Sequence, residues 1–272
     1  MSYVDLHIHS LFSDGTMSPQ EILQDAIKNK VGVIAITDHN VIDGSRKLLE
    51  LCKGTSVHCI TGVELDAIQD NINYHILGYG VDLQDDLFVK RVVNNRRLLE
   101  EVNVKLIEKM QLDYGVSLEE YNSFKYNSEL GGWKALHYFV YKGLAHNLMD
   151  GFYFYGKYNH SYTCVDFPDI ETLCCWIHEA GGIAVLAHPG KVINTVDIEK
   201  FKNSLLNLIK LGIDGIECYY PSHTKEVTSM CLSVCEQLGI IITSGSDCHG
   251  SFEETYIGQL CTNIEEVYIG RL

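Results

Sequence analysis

The stretch His7-Ile8-His9, followed by Ser13-Asp14-Gly15, places two histidines at i and i+2 beside a carboxylate. Alternate side chains of a β-strand share a face, so both imidazoles reach one metal ion while Ile8 packs on the other side. The arrangement recurs along the chain. The apolar run Val31 to Ile36 ends in Thr37-Asp38-His39-Asn40, and Val57 to Val63 ends in Glu64. His75 sits in Tyr74-His75-Ile76-Leu77-Gly78, Ile183 to Ala187 leads into His188-Pro189-Gly190, and Ile240 to Thr243 leads into Gly245-Ser246-Asp247-Cys248-His249-Gly250. In a parallel barrel the strand C-termini open onto one face, where ligands from different strands converge.

Imidazole and carboxylate together, without cysteine, suit Zn, Mn or Fe rather than a structural thiolate site. The candidates His7, His9, Asp14, His39, Glu64, His75, His188, Asp247 and His249 are too many for one ion. A carboxylate such as Glu64 can bridge two, which predicts a cluster of two or three divalent ions. His58, His137, His146 and His178 stand alone, and a lone histidine is more often a surface or hydrogen-bonded residue than a ligand. They are assigned no role.

The 272 residues, 46% hydrophobic, suffice for one barrel-like domain with an insertion or for two modest domains. No run of eighteen apolar residues is present, and Met1-Ser2-Tyr3-Val4-Asp5 lacks the features of a signal peptide, so a soluble, cytoplasmic protein away from membranes is expected. The ten cysteines are scattered without CxxC pairs, which predicts reduced, mostly buried thiols. With 21 Lys+Arg against 36 Asp+Glu, the net charge of −15 disfavours tracking a long nucleic acid, because phosphate neutralisation needs a basic face. Oligomeric state is not legible.

The first third alternates strand and helix. Ser18, Pro19 and Glu21 form a helix start with a capping box, and a second helix runs from about Asp43 to Cys52. Such βαβ alternation predicts a parallel sheet. Residues 83–162 change character: a long helix from Arg91 to Met110, short ones from Ser117 and across Gly132 to Gly143, and no strong β run. This predicts a helical insertion capping the active site, between barrel segments 1–82 and 163–272. Its aromatics, among them Trp133, Tyr138, Phe139, Phe152 and Phe154, are expected mainly as packing.

Asp5-Leu6-His7-Ile8-His9, Thr37-Asp38-His39-Asn40, Gly62-Val63-Glu64, Ala187-His188-Pro189-Gly190, Tyr219-Tyr220-Pro221-Ser222-His223-Thr224 and Gly245 to Gly250 together resemble the polymerase and histidinol phosphatase (PHP) superfamily, in particular its stand-alone phosphoesterase branch. The resemblance implies an α/β fold, a distorted seven-stranded β/α barrel, and a trinuclear metal centre. It implies that His7, His9, Glu64 and Asp247 bind one ion, that Asp14, His39 and His249 bind a second, and that Glu64, His75 and His188 bind a third. Asp14 stands where many relatives carry histidine. Asp38 would orient a ligand histidine from behind.

The activity so implied is hydrolysis of a small phosphate ester by a metal-bridging hydroxide, the substrate being a nucleotide with a 3′ or cyclic phosphate or a sugar-type monoester. Asp14 and His223 are the catalytic candidates, His223 donating a proton to the leaving oxygen or holding the phosphate. Lys191, directly after His188-Pro189-Gly190, is placed to contact the phosphate. Lys134 is a second substrate-binding candidate, in Trp133-Lys134-Ala135-Leu136, where several relatives have an arginine-containing motif. An oligonucleotide-trimming nuclease and a non-catalytic metal-binding module are the alternatives.

Overall fold

A computed structural model describes residues 3–270. Met1, Ser2, Arg271 and Leu272, which the expected leader reading and barrel segments include, lie outside the described residues. In chain order the elements are β1 (Tyr3–Ile8), α1 (Pro19–Lys28), β2 (Val31–Ile36), α2 (Asp43–Cys52), β3 (His58–Cys59), β4 (Gly62–Gln69), β5 (Ile72–Tyr79), α3 (Asp86–Tyr114), α4 (Leu118–Ser123), α5 (Lys134–Tyr141), α6 (Tyr153–Lys157), α7 (Ile170–Glu179), β6 (Ile183–Leu186), α8 (Pro189–Val192), α9 (Ile198–Ile209), β7 (Gly215–Tyr219), α10 (Lys225–Leu238) and β8 (Ile241–Ser244).

The strands form two sheets, a parallel one ordered β1-β2-β3 and a mixed one ordered β4-β5-β6-β7-β8. Single bridges join them at both margins. Ile8 pairs with Cys248, and His39 pairs with Glu64. At the first junction Asp247 N–H donates to the His7 carbonyl at 2.8 Å; at the second, Asn40 N–H donates to the Glu64 carbonyl at 2.8 Å. Each junction therefore fixes the backbone of candidate ligands.

Two sequence expectations are corrected. The strands after α2 are not all parallel: β3 pairs in parallel with β2, but β4 and β5 form an antiparallel hairpin, and β5 pairs antiparallel with β6. The cause is local. Gln69 pairs with Ile72, and the intervening Asp70 and Asn71 have φ of 52° and 62°, the left-handed backbone that a two-residue hairpin turn requires and that Asp and Asn tolerate. The thiols are also not all reduced. The end of α2 lies against β3, with Cα atoms 6.4 Å apart, and Cys52 is disulfide-bonded to Cys59.

Side chains from both sheets meet inside the fold, where Leu6, Val33, Leu77, Tyr79 and Val185 pack together and the Tyr79 hydroxyl donates to the Leu6 carbonyl at 2.8 Å. The outer faces pack on α1 and α2 through Ile22, Ile34 and Leu48, and on α7, α9 and α10 through Leu173, Phe201 and Val234. Strands buried on both faces need near-continuous apolar runs, which is what the sequence shows.

Between β5 and β6 the 29-residue α3 begins with Asp85 as N-cap and ends at Gly115, whose φ of 60° lets the chain leave the helix. Its first turns, with Phe88 and Val92, belong to the core of the mixed sheet. Its last turns, with Leu106, Ile107 and Met110, pack instead on Tyr121, Leu136, Phe139 and Phe154. Among the described residues no helix is long and apolar enough to cross a membrane.

Candidate metal centre

β1 carries His7 and leads directly into His9, and both are fully buried. After His9 the chain turns back tightly. A Cβ on Gly15 would lie 2.4 Å from the His9 carbonyl oxygen, so only glycine lets Asp14 swing over the strand end. Asp38 braces this turn, accepting from Ser10 N–H at 2.7 Å, Ser10 Oγ at 2.6 Å and Ser13 Oγ at 2.7 Å. It was expected to orient a histidine; its hydrogen bonds go to the two serines, because the turn brings their hydroxyls onto the carboxylate first.

The nine candidate ligands meet. His9 Nε2 lies 3.1 Å from Asp247 Oδ1 and 3.3 Å from Glu64 Oε2, and His7 Nε2 lies 3.4 Å from each of the same two oxygens. His39 Nδ1 is 3.1 Å from Glu64 Oε2, while His75 Nδ1 and His188 Nε2 are 2.8 and 3.2 Å from Glu64 Oε1. Asp14 faces His9, His39 and His249 at 3.5, 3.8 and 3.4 Å. Four overlapping groups have spacing that could hold an ion: His9, Asp14, His39 and His249; His7, His188 and Asp247; His7, His9 and Glu64; and His39, Glu64 and His75. His188 and Asp247 have φ of 28° and 53°. Left-handed backbone costs a non-glycine residue about 1–3 kcal/mol, which the surrounding structure must offset.

These residues fit a cationic cofactor. Glu64 Oε2 is buried without a hydrogen bond, as are Nδ1 of His9, His39, His75 and His188. Several stand close to oppositely charged groups yet are misaligned for hydrogen bonding, as donors arranged around a common centre are. Burial disfavours the charged imidazoliums, but Asp247 and Glu64 around His9, and Glu64 and Asp66 around His75, outweigh it and carry both groups up to about 10. Burial prevails at His39 and His188, which fall to about 4 and about 3. Despite burial, neighbouring histidines hold Asp14, Glu64 and Asp247 below the usual carboxylate range. The cluster stabilises positive charge placed among its carboxylates.

Above the cluster is a cavity of about 120 Å³ lined by six of the candidate ligands together with Trp133, Phe152, Tyr162, Lys191, Phe252 and Glu253. Lys191 Nζ is 3.3 Å from Asp247 Oδ2, with its side chain half exposed. Lys134 is not there. It lines a neighbouring cavity of about 270 Å³ with Arg96 and Tyr121 and donates to the Asn122 carbonyl at 3.2 Å; Trp133 lines both that cavity and the one above the cluster. His223 is also outside. Its Nδ1 faces the Cys218 carbonyl at 3.0 Å, and its Nε2 accepts from Gly190 N–H at 3.1 Å, so both ring nitrogens are committed to backbone.

Three contributors were missed in the sequence. Asp66 lies 3.2 Å from His75 Nε2, Glu217 lies 3.0 Å from His7 Nδ1, and the Tyr220 hydroxyl donates to Asp247 Oδ2 at 2.9 Å. The signal was present for two. Asp66 repeats on β4 the i, i+2 spacing of His7 and His9, and Glu217 is an acid inside the apolar run Gly215 to Tyr219.

The model of the PHP domain family matches residues 5–216. The chain belongs to the PHP domain family and is a hydrolase of the metal-dependent phosphoesterase kind. Relatives include a phosphoribosyl 1,2-cyclic phosphate 1,2-diphosphodiesterase of Eggerthella lenta, 27% identical over 91% of this chain and 94% of its own length. A 5'-3' exoribonuclease of Haemophilus influenzae is 29% identical over 90% of this chain and 89% of its own, and a 3',5'-nucleoside bisphosphate phosphatase of Chromobacterium violaceum is 26% identical over 93% and 89%. Among solved structures, a protein of Bifidobacterium adolescentis assigned as a metal-dependent phosphoesterase has the same fold, with a TM-score of 0.79 at 21% identity, covering 97% of this chain and 94% of that one.

Proposed function

We propose that this chain hydrolyses a small phosphate ester, a nucleotide with a 3′ or cyclic phosphate or a sugar-type monoester, at a centre of two to three Mn, Zn or Fe ions. The observation that carries the reading is the convergence of nine imidazoles and carboxylates in one cluster, six of which line a cavity of about 120 Å³. His7, His9, Glu64 and Asp247 would hold one ion, Asp14, His39 and His249 a second, and Glu64, His75 and His188 a third, with Glu64 shared. When bound, such ions lower the pKa of water and polarise a phosphoryl oxygen. The protein's own part is to orient the ester. Lys191 supplies a cation at the cavity wall, and the aromatic lining of Trp133, Phe152, Tyr162 and Phe252 would limit water and restrict the substituent of the phosphate. Asp14, on the tight turn that Asp38 braces and 3.4 Å from His249, is the carboxylate we assign to proton handling at the centre.

We read the two sheets of three and five strands, bridged at Ile8–Cys248 and His39–Glu64, as a distorted barrel; the seven-stranded count expected from the sequence holds only if the two-residue β3 is left out. Segments 1–82 and 163–272 would form it. The separate core around Leu136 and Phe154 supports 83–162 as a helical cap, although α3 runs through both. In this reading Lys134 serves a more distant part of the substrate, and His223 acts through the turn that it holds.

The exoribonuclease relative favours a second reading, trimming of short oligonucleotides; the net charge of −15 weighs against long ones. The test is a turnover panel of mononucleotides, nucleoside bisphosphates, cyclic phosphates, sugar phosphates and short oligomers with added Mn²⁺ or Zn²⁺. Fastest turnover on a small ester is expected. Preference for oligomers would establish the nuclease, and a fully metal-loaded chain inert on the whole panel would be a binding module.

A further inference from the structure

We propose that Glu217 is a positioning residue that sets the tautomer of His7 and pins the backbone of His188, so that one buried carboxylate aligns ligands from two strands. Glu217 lies on β7 and is fully buried. Oε1 is 3.0 Å from His7 Nδ1, and Oε2 accepts the His188 N–H at 2.8 Å. A carboxylate only accepts, so His7 carries its proton on Nδ1 and turns the Nε2 lone pair toward Glu64 and Asp247. The second contact falls on a residue with a φ of 28°, where a fixed N–H helps hold an unfavourable backbone. The fold makes room for this arrangement. A Cβ on Gly245 would lie 2.2 Å from His7 Cβ and 2.3 Å from Glu217 Oε1, so glycine there is what permits the pair to close. The inference rests on the proposed metal centre.

Glutamine at 217 has the same shape but only one accepting oxygen. If that oxygen faces His188, the NH₂ faces His7 Nδ1 and forces its proton to Nε2; if it faces His7, the NH₂ opposes the His188 N–H. One contact is lost either way. Glu217→Gln should therefore weaken metal binding about 10- to 100-fold. The measurement is a chelator-competition titration with Zn²⁺ alone, combined with ¹⁵N spectra of the histidine rings in the Zn²⁺-loaded protein. The unsubstituted chain should show His7 protonated at Nδ1 and ligated through Nε2. A purely structural carboxylate would lower the melting temperature of the variant while leaving affinity and ring signals unchanged, and that result would overturn the proposal. Should the variant not fold, the unsubstituted protein still decides: an unprotonated His7 Nδ1 refutes it. Absence of Zn²⁺ binding by the unsubstituted chain would instead reject the metal centre itself.

Discussion

Asp66 stands on the far side of the His75 ring from Glu64: Asp66 Oδ1 is 3.2 Å from Nε2, while Glu64 Oε1 is 2.8 Å from Nδ1. The carboxylate is itself held by Asn40 Nδ2 at 2.6 Å and Asn73 Nδ2 at 3.1 Å. Asn40 also accepts from Asn95 of α3 at 2.9 Å, so the long helix is tied to the environment of a candidate ligand. Asp66→Asn replaces an acceptor by an NH₂ that faces other donors. Metal affinity should fall about 10- to 100-fold, read by chelator competition. Unchanged affinity would show that His75 is oriented without Asp66.

Glu64 touches His7, His9, His39, His75 and His188 within 3.4 Å. Elemental analysis of protein refilled without chelator should find more than one ion per chain. Glu64→Gln should lose more than one ion's occupancy, because the shared oxygen pair serves several groups. Loss of a single ion would limit Glu64 to one site.

Lys191→Ala removes the one lysine that lines the cavity among the described residues. A charge-assisted contact to a phosphate oxygen contributes about 1.5–3 kcal/mol, which corresponds to a rise in KM of roughly 10- to 150-fold with kcat little changed. Metal content should stay constant. A KM within twofold of the parent would remove Lys191 from substrate binding.

His223 donates and accepts only within the fold, and Gly190, which it holds, directly follows His188-Pro189. His223→Ala should therefore lower kcat equally for nitrophenyl and alkyl phosphates. A selective rescue by the nitrophenolate leaving group would restore the proton-donor role that the sequence suggested.

The metal-stripped chain should be most stable near pH 6.5. His9 and His75, raised to about 10, contribute stability that is complete below pH 6.5 and is lost as pH rises through their folded values. His39 and His188, depressed to about 4 and about 3, act oppositely and remove stability as pH falls below 6.5. Thermal unfolding in chelator from pH 4 to 10 checks this. A melting temperature that keeps rising toward pH 10 would contradict the assignment.

Most candidate ligands were legible because they lie at or just past the end of an apolar run, and a strand end is a local feature, while His7-Ile8-His9 declares its shared face by spacing alone. The α1 capping box and the long α3 were legible for the same reason, since caps and helical periodicity act within a few residues. The β4–β5 direction has a local cause too, the left-handed Asp70-Asn71 turn, which βαβ alternation does not anticipate. Other relations were outside the reach of local pattern. Glu217 meets His7 across 210 positions, and Asp66 matters only because the hairpin turns His75 back onto it. Lys134 and Lys191 are both lysines near apolar segments, yet only Lys191 enters the cavity, since Trp133 stands between Lys134 and the cluster. Spacing along a strand determines which face a side chain takes. Which distant carboxylate waits there is decided by closure of the two sheets, because the hydrogen bonds that fix it form only once both are in place.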